Sequence, residues 1–391
     1  MQQPAGAIWT QQTAWRLSAQ PVLQIEGADA DIERAPIDPV RVSRLGNGRY
    51  LVADGDQRGH HALLVFDAQG RFVMRLGRKG RGPGEFGQLF QWGGTYRGDS
   101  IAAYDFIDRA IEVFAPDGRF ARALKLPNTR SGVRPPPGTY GASDYFIGPF
   151  SDGRVLRFEP AILNISGGPG QVWYEPDLML YDADGANPRK LATLRTWGQW
   201  WDGKKAVSSP LQAVAITVAG KSNWYHGVAE EFNIGVFDSE GRVVRTLRRA
   251  FNRQRVTAAD QETAIRSLAR MFSSGGQHAA QNSPEEIEKR LRAEARFPEF
   301  RPAYLHLVED SDDNVWVQHY GAGAVLDQAG PLPSRWSIFD AQGQFLGELE
   351  MPASFRVSTI TKDQVLGFWQ DEFDVKHVRV YGLIKPQTPG R

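Results

Sequence analysis

The chain repeats one phrase of apolar and polar positions. An apolar run meets a short turn containing Asp and Gly, and an alternating run leads away from it. The phrase reads LLVFDAQGRFVMRLG at 63–77, IEVFAPDGRFARALKL at 111–126 and LMLYDADGANPRKLATL at 178–194. It returns as IGVFDSEGRVVRTL at 234–247 and WSIFDAQGQFLGEL at 336–349. Alternation with period two around such turns predicts β-hairpins. In each copy an aromatic residue closes the first strand in the core: Phe66, Phe114, Tyr181, Phe237 or Phe339. A glycine then stands where the turn calls for positive φ: Gly70, Gly118, Gly185, Gly241 or Gly343.

A second motif precedes most hairpins, a polar turn followed by a short strand. Examples are GNGRYLVAD at 46–54, RGDSIAAYD at 97–105, SDGRVLRF at 151–158 and SDDNVWVQH at 311–319. With the strand before that turn, each unit supplies four antiparallel strands. One such sheet cannot cover both of its faces, so the units must stack on one another. Radial stacking gives an all-β, six-bladed β-propeller. The blades are expected at about 40–77, 88–126, 142–194, 211–249, 303–350 and 355–383. The last shows only three strands. PVLQI at 21–25 is expected to supply its missing outer strand, so that the N-terminus closes the ring and leaves no open sheet edge.

Helical spacing interrupts this pattern once, between blades four and five. Thr257 stands before Ile265, Leu268 and Phe272, and Ser283-Pro284-Glu285-Glu286 forms a capping box with Pro in the first turn. The expected insertion covers about 256–297 and acts as a brace, with a lid over one face as the alternative. The domain reading is an N-terminal extension at 1–19, a propeller at 20–383 and a tail at 384–391.

Composition narrows the function classes. The length of 391 residues suits two or three domains or one closed all-β unit. Lys and Arg number 46 against 45 Asp and Glu, which lacks the basic excess of a nucleic-acid binder. The chain has no cysteine, which excludes disulfides, thiolate metal sites and cysteine nucleophiles. No apolar run approaches the roughly 18 residues of a membrane span. Residues 1–10 show neither a basic start nor an apolar stretch, so no leader is read there. A cytoplasmic protein and a mature exported form both fit that observation.

The loop after the first blade reads GRKGRGPGEFGQ at 77–88. With NGRYLVAD before it and the FDAQGRF hairpin, it resembles the bacterial six-bladed β-propeller family related to NHL-repeat proteins. In that family a G-R-x-G-x-G-P-G-E-F loop follows the first blade. PEFRPAYLHLVEDSDDNVWVQHY at 298–320 resembles the family's approach to its fifth blade. The resemblance implies the fold and, for many members, export or lipid anchoring, hence a periplasmic or extracellular location. It implies little about activity. From the residues alone, the glycines of this loop serve the crossing between blades and Glu85 pairs locally, because no GK[ST] ending is present for a phosphate cradle.

Loops joining the second and third strands of each blade gather at the channel mouth, where propellers place binding sites. They carry Asp54, Asp56, His60, Asp105, Asp108, His226, Glu230, Glu231, His319, Asp371, Glu372 and Asp374. As a ring, these would hold a divalent cation or a cationic ligand. The competing reading is ordinary turn chemistry, in which Asp ends strands and caps loops. A second candidate surface is aromatic: Trp173 and Tyr174, Trp197, Trp200 and Trp201, and Trp224 and Tyr225. Rings at loop tips bind sugars, peptides or cations, while buried rings would seal the wedge between blades three and four. Arg248, Arg249, Arg253 and Arg255 are read as a solvated edge, and His306 and His377 as structural. The expectation is a non-catalytic binding or scaffold module for a peptide, protein or glycan, with no catalytic residue assigned and no resident cofactor. The alternative is a metal-assisted hydrolase or lyase at the channel mouth, as in gluconolactonase-like propellers. Convergence of three or more of Asp54, Asp105, His226, Glu231, His319 and Asp371 would favour it.

Overall fold

A computed structural model describes residues 6–25, 39–55, 61–87, 90–129, 134–142, 144–274, 283–321, 334–372 and 375–386. Five four-stranded antiparallel sheets paired in chain order, and a sixth made of three such strands joined by N-terminal strands, form the blades. We name their strands a to d from the channel outward. Blade one comprises Pro39–Arg44, Tyr50–Gly55, His61–Phe66 and Phe72–Leu76. Blade two comprises Phe90–Tyr96, Ser100–Asp105, Ala110–Phe114 and Phe120–Lys125. Blade three comprises Tyr145–Pro149, Val155–Phe158, Asp177–Tyr181 and Arg189–Thr193. Blade four comprises Ala215–Ala219, Asn223–Val228, Asn233–Asp238 and Val243–Arg248. Blade five comprises Tyr304–Glu309, Val315–His319, Ser334–Phe339 and Phe345–Met351. Blade six comprises Phe355–Ile360, Gln364–Gln370 and Lys376–Ile384, completed from the N-terminus. The six a strands neighbour one another in a closed circle around the channel.

Burial follows from that stacking. Strands b and c lie between two neighbouring blades, so both of their faces are apolar. Ala110–Phe114 and Asp177–Tyr181 are buried at every position. Strand d lies at the rim, and Phe120–Lys125 is exposed except at Leu124. The hairpin turns show why the Asp/Gly phrase recurs. Asp67 accepts from the backbone of Gln69 and Arg71, both at 2.9 Å, and Gly70 takes φ 78°. The other four hairpin glycines have φ between 81° and 92°.

Closure is by the N-terminus, as the sequence suggested: Leu23 pairs with Val380 and Ile25 with Val378. The segment before it does more than extend the chain. Arg16–Leu17 pairs with the far end of the same strand, and Trp9 N–H donates to the Leu346 carbonyl at 2.8 Å in blade five. Trp9 lies over Gly347, where a Cβ would sit 2.4 Å from its ring. Trp15 bridges Trp9 (5.1 Å) and Trp316 (5.8 Å), with Lys385 over its ring at 4.2 Å. The N-terminal residues therefore strap blade five to blade six.

Two additions decorate blade three. The stretch at 159–175, between the second and third strands of blade three, pairs Ala161–Ile162 with Gly141–Ala142 and Gly170–Trp173 with Gly198–Trp201, which also pairs with Ala206–Val207. Strands of two to four residues broken by Gly167, Gly168 and Pro169 carry too little periodicity to be read from sequence. The helical insertion contains α1 (Ala258–Ser274) and α2 (Pro284–Glu294), with the Ser283 capping box formed. The helices pack around Leu211, Phe297 and Tyr320. Lys205 pairs with Glu294 at 2.9 Å, and Arg296 N–H donates to the Ser208 carbonyl. The insertion thus braces the blade-three decoration against blades four and five.

Candidate functional site

The described carboxylates of the expected ring, among them Asp54, Asp105, Asp108, Glu231 and Asp371, lie at or just beyond the ends of b strands, where the chain turns. Asp105 is fully buried and accepts from the backbone of Gly87 (2.5 Å), Ile107 (2.8 Å) and Asp108 (3.0 Å). It ties the blade-one connection to the blade-two loop. Asp108 flanks that turn. Asp371 accepts from Val375 N–H at 2.9 Å and lies 3.1 Å from His377 Nε2. Asp54 ends its strand opposite Pro39 and Ala62 and is engaged by a partner. Asp56, His60 and Asp374 lie outside the described residues. Among the described residues, no three His, Asp or Glu side chains gather within metal-ligand reach.

The two histidines are held neutral. His226 Nδ1 lies 2.9 Å from Thr217 Oγ1, and burial pushes its pKa down to about 4. His319 Nε2 lies 2.7 Å from Ser337 Oγ, and burial, opposed by Glu348, leaves its pKa at about 4. Arg249 donates to Ser337 Oγ at 2.5 Å and to Glu348. The Ser337 hydroxyl is then free to donate to His319. This is not a nucleophilic triad: Glu348 faces the same Nε2, at 3.8 Å, and Ser337 is fully buried.

Glu231 lines a cavity together with arginines, and His319 lies behind its Phe232 and Arg249. Phe232 packs edge-on to His319 at 5.8 Å and forms part of a cavity of about 430 Å³ with Glu231, Asn233 and Phe251. Arg248, Arg249 and Arg253 complete its wall. Arg253 stacks over Phe300 at 4.0 Å and has no carboxylate partner among the described residues. Three guanidinium groups line this wall beside Glu231, and Arg249 among them is also paired with Glu348. The cavity exists because the chain leaves strand d of blade four at Arg248 and turns into the insertion, so its wall comes from both sides of that turn. Sequence reading treated the arginines as a solvated edge. The available signal was their interleaving with Phe251 immediately before an insertion.

The aromatic candidates divide. Trp224 is fully buried and stacks on Phe237 at 4.0 Å, so it presents no face to a ligand. Trp173 and Trp201 are each 7% exposed and serve the small sheets. These three are corrected to packing residues rather than a ligand surface: Trp201 belongs to the core of the small sheets, Trp224 packs against blade three with Leu156 and Leu178, and Trp173 is nearly covered. Trp197 is 51% exposed and stacks on Tyr174 at 5.9 Å.

Comparison with known proteins agrees with this architecture. Residues 33–152, which span blades one and two and the first strand of blade three, match the model of a family described as a 6-bladed β-propeller. A crystal structure of a Bacteroides fragilis protein provisionally described as exported is similar across 97% of this chain and 98% of its own, with TM-score 0.50 and 13% identity. A member of the DUF4221 family from Bacteroides vulgatus is similar across 96% and 99%, with TM-score 0.51 and 10% identity. At these identities the likeness shows the fold alone. No curated protein matches the sequence. Among the described residues, no helix is long and apolar enough to cross a membrane.

Proposed function

We propose that the protein is a non-catalytic binding propeller whose cavity at the outer end of blade four, where the chain leaves toward the insertion, takes an acidic peptide segment of a partner protein. The observation that carries this reading is the arginine wall: Arg248, Arg249 and Arg253 around about 430 Å³, with Phe232 and Phe251 supplying apolar surface. A guanidinium fork matches a carboxylate bidentately, and charge-assisted hydrogen bonds are about twice as strong as neutral ones. Arg249 is already placed by Glu348 and Ser337, so its geometry is set before a ligand arrives. The metal-assisted enzyme reading needs convergent ring residues. Asp105, Asp371, His226 and His319 of that ring are committed to turns and to blade packing, and among the described residues no three of its members converge, which favours binding. A location outside the cytoplasm belongs to the same proposal. It follows the exported description of the Bacteroides protein. Cell fractionation with the full reading frame tests it, and recovery in the cytosol alone would refute it.

The experiment is calorimetric titration with the peptide Ac-EEFEE-NH2 against its neutral counterpart Ac-QQFQQ-NH2. The acidic peptide is expected to bind and the neutral one to bind at least about tenfold more weakly. Arg248→Ser with Arg253→Ser is expected to abolish the difference, and added salt to reduce it. Equal binding of both peptides by the native protein and the double variant would overturn the proposal. A second reading, a glycan stacked on Trp197, rests on that half-exposed ring. It requires Trp197→Ala to lose glycan-array signal that the arginine variant retains.

A further inference from the structure

The inner strands set the charge of the central channel. All six together carry Arg41, Arg44, Arg356 and His306 against a single carboxylate, Glu309. Two of these are neutralised at the hairpin-turn end. Arg44 pairs with Asp363 at 3.1 Å, and Glu309 accepts from the Tyr225 hydroxyl at 2.5 Å and the Lys221 amide at 2.6 Å. Arg41 lies toward the loop face, two residues from the strand end that pairs with Asp54. A bulge between Pro39 and Arg41 re-aims the chain there.

Arg41 does not stay within its own blade. Its Nε lies 3.6 Å from the place a Cβ on Gly94 would occupy, and its guanidinium lies 5.8 Å from the Trp92 ring centroid. Trp92 packs toward blade three, against Phe146 at 5.6 Å. The electrostatic partner that Arg41 senses, Tyr145, also belongs to blade three. The side chain therefore passes over the inner edge of blade two, past the bare backbone of Gly94, and sits in the channel. Its Nε–H is buried with no acceptor, and among the described residues no carboxylate pairs with it. The Trp92 indole N–H lies 4.0 Å from the position of a Cβ on Gly148, at the inner edge of blade three. Burial pulls the Arg41 pKa below its ordinary value, opposed in part by Tyr145.

We propose that the channel holds a small oxyanion, the carboxylate or phosphate group of a small-molecule ligand, received by the Arg41 guanidinium and the Trp92 indole N–H. Drawing a charge away from water is costly unless it is paired, and among the described residues no carboxylate pairs with this one. The guanidinium fork suits the planar or tetrahedral oxygens of both groups. The site is distinct from the arginine wall, which lies at the outer end of blade four.

Thermal unfolding in chloride buffer at constant ionic strength, with phosphate or acetate replacing chloride, tests this. A ligand that binds the folded state raises the midpoint by mass action. The native protein is expected to respond to at least one of the two anions, and the stronger response identifies the group. Arg41→Met is expected to unfold at a higher temperature than the native protein in chloride, because an unpaired cation is gone, and to lose the anion response. Arg248→Ser with Arg253→Ser is expected to keep that response, which separates the channel from the outer cavity. Should Arg41→Met fail to fold, Trp92→Phe decides: loss of one donor is expected to weaken the anion by about three- to tenfold. No response in the native protein, or an undiminished one in Arg41→Met or Trp92→Phe, would overturn the proposal.

Discussion

At the scale of single residues, the loop face is built from polar groups already held by the fold. Asp105 satisfies three backbone N–H groups in the interior. Asp105→Ala leaves them buried without acceptors and is expected to cost about 3 kcal/mol or more in urea denaturation. A loss below about 1 kcal/mol would mean that water replaces the carboxylate. The histidines give a pH signature. Folded His226 and His319 titrate near pH 4, against about 6.5 in the unfolded chain. Between these values the unfolded state binds more protons, so stability falls as pH drops through the window. The full loss is up to about 3 kcal/mol for each residue. His226→Gln is expected to flatten the slope of stability between pH 7 and pH 4, and an unchanged slope would remove His226 from this explanation. The carboxylate ring was legible in sequence as residue types at strand ends. What periodicity does not encode is the direction of each side chain, which depends on the turn that follows.

At the scale of elements, the hairpin phrase and the closing strand were readable because both rest on local chemistry: an Asp that caps its own turn, a glycine with positive φ, and alternation. The N-terminal strap was not readable. Its anchor is Gly347, more than 300 positions away, whose missing side chain leaves room for Trp9. Trp15 joins Trp9 to Trp316 across that gap. Trp15→Ala is expected to lower stability by about 3 kcal/mol in urea denaturation, as for a large core truncation. An effect under about 0.5 kcal/mol would show that the strap is dispensable. The helices were predicted from capping chemistry, and the Ser283 box is present. Ser283→Ala is expected to cost about 1 kcal/mol. The small sheets beside blade three escaped detection because they are too short for a period to be counted.

At the scale of the molecule, six stacked blades gather cationic groups in two places: the outer cavity at the end of blade four and the loop-face half of the channel. Neither was visible as a pattern in the sequence. Arg248, Arg249 and Arg253 cluster in sequence, but only the turn into the insertion makes them a wall. Arg41 is one arginine in an ordinary strand until the circle of a strands brings Gly94 and Trp92 beside it. A binding role therefore arises from the assembly of blades.

The most direct measurement of the central claim is amide hydrogen exchange of the native protein with and without Ac-EEFEE-NH2. The expected result is slowed exchange at 231–233 and 248–253, with 170–201 unchanged. Protection confined to 170–201, or no protection on the loop face at saturating peptide, would contradict the assignment of the arginine wall as the binding site.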